Sequence, residues 1–154
     1  MSHAGSACAS DPVDVPAAPY CPPFAVSAEQ QEAIFHRFVD GFLLTGNPRQ
    51  AMVDHIADDY IQHNPSLLSG KDVVLGAFSG DLSSFGIVYP ANIINRSFDA
   101  KRNTGMVHYY FNPAAGQQPS VVVDIFRMNG SCIQEHWDVI QERPANATNP
   151  LAMF

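Results

Sequence analysis

The residue best placed to do chemistry is Asp124, a single carboxylate inside the apolar run Val121–Phe126. Such a run is typical of a strand that is buried on both faces. A carboxylate there is costly unless it is paired or protonated, and desolvation favours the protonated form. Asp124 is therefore a candidate for general acid/base catalysis. The structural alternative is that Asp124 pairs with Arg127 or with a neighbouring strand and fixes the register.

His108 is the second candidate, on a predicted strand beside that of Asp124. Because side chains alternate along a strand, Met106, His108 and Tyr110 share one face. A His and an Asp on adjacent strands within one cavity could relay a proton, with the Asp orienting the imidazole. The alternative is a partly buried His that bonds to a backbone carbonyl.

The turn at Asn129-Gly130 decides which residues of the last strand join Asp124. A two-residue loop would pair Asp124 with Glu135 and place Trp137 on its face. A three-residue loop, residues 128–130 with a glycine bulge, would group Asp124 with a different polar set: Gln134, His136 and Asp138. A shift of one residue exchanges the whole set. We favour the second register, because two directly opposed carboxylates in a dry cavity would repel each other.

Polar residues also end the first extended segment, where a strand would reach the mouth of a cavity. His63 and Asn64 precede Pro65, which restricts the backbone before it. Both side chains could point into the cavity, with Tyr60 adding a hydroxyl donor. An Asx-type turn with His63 in solvent is the alternative.

Metal and nucleophile chemistry find little support in the sequence. The six His residues form no H-x-x-x-H motif or facial triad, so we expect no metal and no cofactor. There is no G-x-S-x-G motif, and Cys132 stands beside a turn without an evident base. Cys8 and Cys21 could close a loop under oxidising conditions, but we expect reduced thiols in a cytosolic chain.

The elements that must position these residues follow from the periodicity. A capping box of Ser27 and Gln30 starts a helix that ends at Gly46, and Asn47-Pro48 starts a second one. A short extended piece over 59–65 precedes a third helix from Ser69 to about Leu82. Four strands are predicted after it, at about 88–98, 104–112, 119–128 and 132–141. Helices followed by antiparallel strands predict an α+β domain, with helices on one face of a curved sheet that forms an open cone.

Bulk composition excludes several classes of function. The chain has 154 residues and a formal net charge of −7, with eight Lys and Arg that form no cluster. We therefore expect no nucleic-acid partner and no membrane contact. The proline-rich N-terminus lacks the pattern of a secretory signal, which favours a cytoplasmic location. We expect a flexible or extended arm over residues 1–26 and one domain over 27–154.

Several of these segments together resemble the SnoaL-like polyketide cyclases of the nuclear-transport-factor-2-like superfamily. The resemblance rests on the segments Tyr60–Pro65, Val123–Arg127 and Glu135–Gln141, and on Asn146 and Asn149 before the C-terminus. One departure is the turn, whose glycine arrives one position early. The arm before Ser27 lies outside the usual family length, and could cover the pocket, swap to a neighbour or be disordered.

This resemblance implies a cone fold, a homodimer formed through the outer sheet face, and acid/base chemistry without a cofactor. Asp124 falls on the family's catalytic Asp, and His108 on its assisting His. The implied activity is a cyclase, dehydratase or isomerase that works through an enol on an apolar carbonyl compound of secondary metabolism. Seven residues are expected to contact the substrate: Tyr60, His63, Asn64, Tyr110, His136, Trp137 and Asp138.

Two other functions compete with this reading. In a non-catalytic ligand-binding or dimerisation module of the same fold, Asp124 and His108 would be a structural pair. An epoxide hydrolase would need an Asp–Arg–Asp set around a water. Arg127 is three residues from Asp124 and so on the opposite strand face, which argues against the hydrolase.

Overall fold

A computed structural model describes residues 13–80, 82, 87–113 and 115–154. These ranges contain three helices and five strands, and the first strand lies between the second and third helices. They run in the order α1 (Ala28–Leu43), α2 (Pro48–His55), β1 (Ile56–Gln62), α3 (Lys71–Ala77), β2 (Asn92–Asp99), β3 (Thr104–Tyr110), β4 (Ser120–Asn129) and β5 (Cys132–Glu142). The predicted α+β class is confirmed. No helix among the described residues has the length and hydropathy needed to cross a membrane.

Helix α1 begins where its capping signal predicts. The Ser27 hydroxyl accepts from the Gln30 amide N–H, and the Gln30 side chain accepts from the Ser27 N–H. These two bonds satisfy donors that a helix start leaves free. Its buried face forms the centre of the core, and the large apolar side chains on it are Ile34, Phe35, Phe38, Val39, Phe42 and Leu43.

The five strands form one sheet in the order β1-β5-β4-β3-β2. Strand β1 runs parallel to β5, and all the other neighbours are antiparallel. We call the face that packs against α1 the inner face; it carries Val107, Tyr109, Asp124, Phe126 and His136. The opposite, outer face carries Tyr110, Val123, Ile125, Trp137 and Val139.

Contact between α1 and the inner face is close. The Phe38 ring meets the Phe126 ring edge-on at 5.0 Å between centroids. At Gly105, a Cβ would lie 2.4 Å from the Phe35 ring, so this strand position must lack a side chain. A glycine here brings helix and sheet near enough to bury the aromatic core.

The β4–β5 turn differs from both predicted loops. Asn129 pairs with Cys132, so the two-residue loop is Gly130-Ser131, and Gly130 has a positive φ of 53°. The register then shifts, because Arg127 pairs with Glu135 while Met128 pairs with Ile133. Gln134 is the extra residue of this bulge and bonds to Asp59 instead of joining the site. The bulge restores His136 and Asp138 to the face of Asp124.

Two elements differ most from their predicted lengths. The third helix ends at Ala77 and does not reach Leu82, since the backbone passes through Gly76 and then through Gly80 at a φ of 98°. Strand β2 starts at Asn92 rather than near residue 88, just after the cis Tyr89-Pro90 bond. In contrast, β1 begins at Ile56, directly after α2 and before the predicted position.

The N-terminal arm is packed along its described part, residues 13–26. Tyr20 is 2% exposed in the core, and its hydroxyl accepts a hydrogen bond from Arg37. Cys21 forms a disulfide with Cys132, whose Cα lies 5.1 Å away. The expectation of reduced thiols is therefore wrong, and Cys8, the other predicted partner of Cys21, lies outside the described residues. The arm follows α1 and the β4–β5 turn and contributes nothing to the cavity described below.

Candidate active site

A cavity of about 770 Å³ opens between the helices and the inner face of the sheet. This volume lies in the range of small-molecule sites. Aromatic side chains dominate its walls: Phe38, Phe42, Tyr60, Phe78, Tyr109, Phe111 and Phe126. Polar groups gather on one side of it, where β1, β4 and β5 lie next to each other. The cavity thus combines a large apolar volume with a compact polar cluster.

Asp124 is the centre of that cluster. It is 3% exposed, and one carboxylate oxygen lies 3.0 Å from Nε2 of His136 on β5. The other oxygen accepts a hydrogen bond from the Tyr109 hydroxyl at 2.9 Å. Asp124 therefore does not pair with Arg127, which instead donates to Glu135 on the outer face.

Gln62 fixes the protonation of the His136 ring. Its side-chain oxygen accepts from the backbone N–H of Asn64 and lies 2.8 Å from Nδ1 of His136. Since an oxygen only accepts, Nδ1 must carry a proton. The 3.0 Å contact between Nε2 and Asp124 then holds one further proton. It resides on either partner, as imidazolium with carboxylate or as imidazole with carboxylic acid.

Asp138 stands directly across the ladder from Asp124. The repulsion that argued against opposed carboxylates is relieved, because each has its own donors. Asp138 accepts a short hydrogen bond from the Asn64 side-chain amide. The Asn64 oxygen accepts from the Ser66 N–H, which fixes the orientation of that amide. Both carboxylates therefore face the cavity without sharing a proton directly.

Two tyrosine hydroxyls complete the polar cluster as proton donors. Tyr60 is 3% exposed and lines the cavity. Burial raises the pKa of Tyr60 well above its usual range, and the charges of Asp124 and Asp138 raise it further. Burial and Asp124 likewise raise the pKa of Tyr109. Both hydroxyls therefore remain protonated near neutral pH. Tyr109 donates its proton to Asp124, whereas the Tyr60 hydroxyl can donate to an oxygen of a ligand.

The expectation that His108 shares a cavity with Asp124 is wrong. Asp124 pairs with Val107 across the β3–β4 ladder, whereas His108 pairs with Val123. Because side chains alternate, His108 lies on the outer face, and the inward residue next to it is Tyr109. The imidazole that contacts Asp124 belongs to His136, on the other neighbouring strand.

Three expected substrate contacts also lie outside the cavity. His63 follows the inward-facing Gln62, so its ring points outward and stacks on Trp137 at 4.9 Å. A His63 ring nitrogen is 2.8 Å from Glu135, and this hydrogen bond, with those from Arg127, lowers the pKa of Glu135. Tyr110 packs on the outer face, with its ring centroid 4.4 Å from that of Phe154.

Four of the expected contacts do line the cavity, namely Tyr60, Asn64, His136 and Asp138. Tyr109 and Gln62 were missed, although each is adjacent to a residue that was named. The alternation of side chains along β3 would have identified Tyr109 once the pairing partner of Asp124 on β3 is known. That pairing is set by the sheet and has no local signature.

A divalent metal would have three candidate ligands here. Single ligand atoms of Asp124, His136 and Asp138 all lie within 4.8 Å of one another. Two of these residues already bond to each other, and Nε2 of His136 is engaged by Asp124. A metal bound at Nε2 would have to replace that hydrogen bond, and the contact of Nδ1 with Gln62 would hold the ring in place.

Structural comparison identifies the fold. An NTF-2-like protein of unknown function from Burkholderia xenovorans LB400 superposes with a TM-score of 0.60 at 13% identity, over 78% of this chain and 89% of that one. TsrD from Streptomyces laurentii gives a TM-score of 0.54 at 16% identity, over 77% and 91%. A proposed polyketide cyclase from Acidithiobacillus ferrooxidans gives 0.52 at 14% identity, over 77% and 91%. No protein-family model and no curated protein matches the sequence.

The chain therefore has the nuclear-transport-factor-2-like fold. The likeness to a proposed cyclase agrees with the SnoaL-like resemblance of the sequence. At these identities the comparison establishes the architecture, and the activity has to be argued from the site.

Proposed function

We propose that this protein is a cofactor-independent acid/base enzyme that acts through an enol or enolate on an apolar carbonyl compound of polyketide or other secondary metabolism. The observation that carries the proposal is the Asp124–His136 pair, which shares one proton at the wall of an aromatic cavity. A carboxylate that is buried, oriented by two donors and open to a ligand is suited to proton transfer.

The proposed reaction starts with proton removal next to a carbonyl. The Asp124 carboxylate accepts the α-proton, and the C–H electron pair moves into the carbonyl group to form an enolate. The Tyr60 hydroxyl donates to the enolate oxygen, where negative charge develops. His136 stabilises the negative charge of Asp124 before the proton is taken up and again after the proton has been returned. Return of the proton from Asp124 to another carbon isomerises the compound. When the enolate carbon instead attacks a second carbonyl, a ring closes, and the alkoxide formed there takes the proton from Asp124.

The proposal can be tested without the natural substrate by following deuterium exchange. We expect the protein to accelerate α-proton exchange of 2-tetralone in D2O, measured by NMR. His136→Gln should slow this exchange by about 100-fold, because Asp124 loses the partner that shares its proton. A protein that binds the ketone but does not exceed the buffer rate would be a binding module.

His108 offers a matched control for that substitution. His108→Gln makes the same chemical change on the outer face, one strand from Asp124 on the other side. We expect it to leave the exchange rate within about twofold of the wild type, since the side chain lies on the outer face and does not line the cavity. A large loss in His108→Gln with little change in His136→Gln would contradict the assignment.

We also propose that two copies associate through the outer face. Val139 is 65% exposed there, beside the partly buried Val123 and Ile125. Exposed apolar patches of this kind mark interaction sites. Val139→Glu should shift the protein towards monomer in analytical ultracentrifugation without changing its thermal midpoint, because the side chain packs little within one chain. An unchanged sedimentation coefficient, or a monomeric wild type, would refute this interface.

The disulfide also bears on the cellular compartment of the protein. Disulfides persist in oxidising compartments and are rare in the cytosol. The Cys21–Cys132 bond therefore argues against the expected cytoplasmic location. We propose that the chain matures in an oxidising environment, and the thiol count described at the end of the Discussion tests this.

A further inference from the structure

The cavity walls carry negative charge without a matching positive side chain. Three lining residues are acidic, namely Asp124, Asp138 and Glu142. None of the described residues that line the cavity is Lys or Arg. His136 is the sole His among the described residues that line the cavity, and its Nε2 is hydrogen-bonded to Asp124.

Two lining carboxylates, Asp138 and Glu142, have no ion-pair partner among the described residues. Glu142 is exposed to water, so Asp138 is the half-buried carboxylate that lacks a counter-charge. Its hydrogen-bond donor is the Asn64 amide, which is neutral, and no ion pair among the described residues includes it. Its side chain is half-buried and lines the same cavity as Tyr60 and Tyr109. A carboxylate at an apolar wall is costly until a cation or a proton reaches it.

The aromatic walls favour the same kind of ligand. Faces of Phe and Tyr rings attract an organic cation within about 6 Å, and the attraction is larger when water is excluded. An anionic ligand would meet the opposite situation, since the described part of the lining has an unmatched carboxylate and neither Lys nor Arg. The charge of the cavity and its aromatic lining thus both favour a cationic ligand over an anionic one.

We infer that Asp138 selects a ligand that presents a protonated amine, so that the carbonyl compound handled by this site carries a basic nitrogen on an otherwise apolar skeleton. This inference rests on the proposed function for the carbonyl group and adds the charge of the substrate. Asp138 acts as a specificity-determining residue: its carboxylate takes the ammonium group, which places the carbonyl near Asp124 and Tyr60. Carboxylates and phosphates are excluded.

Three probes of nearly equal shape test the inference by isothermal titration calorimetry at pH 7. They are 2-naphthylmethylamine, 2-naphthylmethanol and 2-naphthoate, which differ in charge. We expect the amine to bind about tenfold more tightly than the alcohol, and the naphthoate to bind at least about tenfold more weakly than the alcohol. An ion pair formed inside the cavity changes the affinity by about this factor. Equal affinities, or a preference for the naphthoate, would overturn the inference.

Asp138→Asn is the decisive variant. It should abolish the preference for the amine and leave the affinity for the alcohol unchanged, which also verifies that the cavity is intact. Asp58→Asn is the matched control, since Asp58 has a side chain that is 99% exposed and lies outside the cavity. A tenfold preference for the amine that survives in Asp138→Asn would overturn the assignment.

Two further readouts keep the inference separate from its alternatives. Should Asp138→Asn lose the alcohol as well, the ranking of the three probes on the wild-type protein decides. Zn²⁺ that binds the wild type and displaces the amine would assign the carboxylates to a metal and refute the ammonium site. Because no probe is turned over, an absent exchange activity with an intact amine preference would refute the proposed function alone.

Discussion

Asp124→Asn is expected to slow α-proton exchange of 2-tetralone by about 10³-fold, within the range of roughly 10²–10⁴ that a positioned acid/base contributes. The affinity of the cavity for the ketone should change little. This combination, lost chemistry with retained binding, is the signature of a group that moves a proton and does not hold the ligand.

The structure explains why asparagine is the informative replacement. Its side chain has the shape of aspartate, and its oxygen can still accept from the Tyr109 hydroxyl or from the His136 ring. The amide cannot take up the α-proton, because it has no basic oxygen comparable with a carboxylate. The substitution therefore removes proton acceptance while it preserves the packing of an almost fully buried position.

Asp58→Asn serves as the control, since it makes the same chemical change on an exposed side chain that does not line the cavity. It should exchange deuterium at the wild-type rate. Full activity in Asp124→Asn would sink the acid/base proposal, whatever the effect of His136→Gln. Unfolding of Asp124→Asn is checked by its near-ultraviolet circular dichroism, and Asp124→Ser then provides a smaller replacement.

The parts of this fold that the sequence predicts well are those with local causes. The capping box at Ser27 and the Asn47-Pro48 pair specify helix starts from a few neighbouring residues, and both are where they were expected. The predicted ends of the elements were less accurate than their starts. The third helix was predicted too long, because periodic apolar residues continue past the point where Gly80 turns the backbone.

The candidate site divides in the same way. Asp124 was found because a charge inside an apolar run is visible without any partner. His136 and Asp138 depended on the register of one hairpin, and the bulge at Gln134 settled it. The prediction that His108 faces the cavity was wrong, because the pairing of β3 with β4 depends on the whole sheet. A register shift of one residue moves a side chain to the opposite face.

The cysteines are the extreme case of a non-local feature. Cys21 and Cys132 are separated by 111 residues in the sequence, and their approach requires the arm to lie across the β4–β5 turn. Backbone bonds hold it there, since the Ser131 N–H donates to the Phe24 carbonyl and the Ser131 hydroxyl to the Tyr20 carbonyl. Nothing near either cysteine in the sequence indicates this contact.

Removal of that disulfide is expected to cost about 4 kcal/mol of the free energy of unfolding, as for a closed loop of roughly 100 residues. The double variant Cys21→Ala/Cys132→Ala should therefore melt on the order of 10 °C lower than the wild type. Urea unfolding of the variant and of the wild type, with and without a reductant, measures the difference. A reductant should destabilise the wild type and leave the double variant unaffected.

His55 reports whether the arm itself has left the core. The Tyr20 ring lies 4.5 Å from the His55 ring, and burial lowers the pKa of His55 to about 4. An unfolded His takes up a proton near pH 6.5, so acidification from about 6.5 towards 4 favours unfolding of the disulfide-bonded protein. In the double variant, water reaches the ring, its pKa rises in NMR titrations, and the loss of stability in acid becomes smaller.

Cys8→Ser distinguishes the Cys21–Cys132 disulfide from the alternative disulfide between Cys8 and Cys21. If Cys21 is bonded to Cys132, the Cys8 substitution leaves both the stability and the His55 titration unchanged. Mass spectrometry after alkylation in denaturant should then find one reactive thiol in the wild type from its native source and none in Cys8→Ser. Three reactive thiols in the folded, active wild type would mean that the backbone contacts of Phe24 and Ser131 hold the arm without a covalent bond. The chain would in that case be compatible with the cytosol, and the stability difference assigned to the disulfide would vanish.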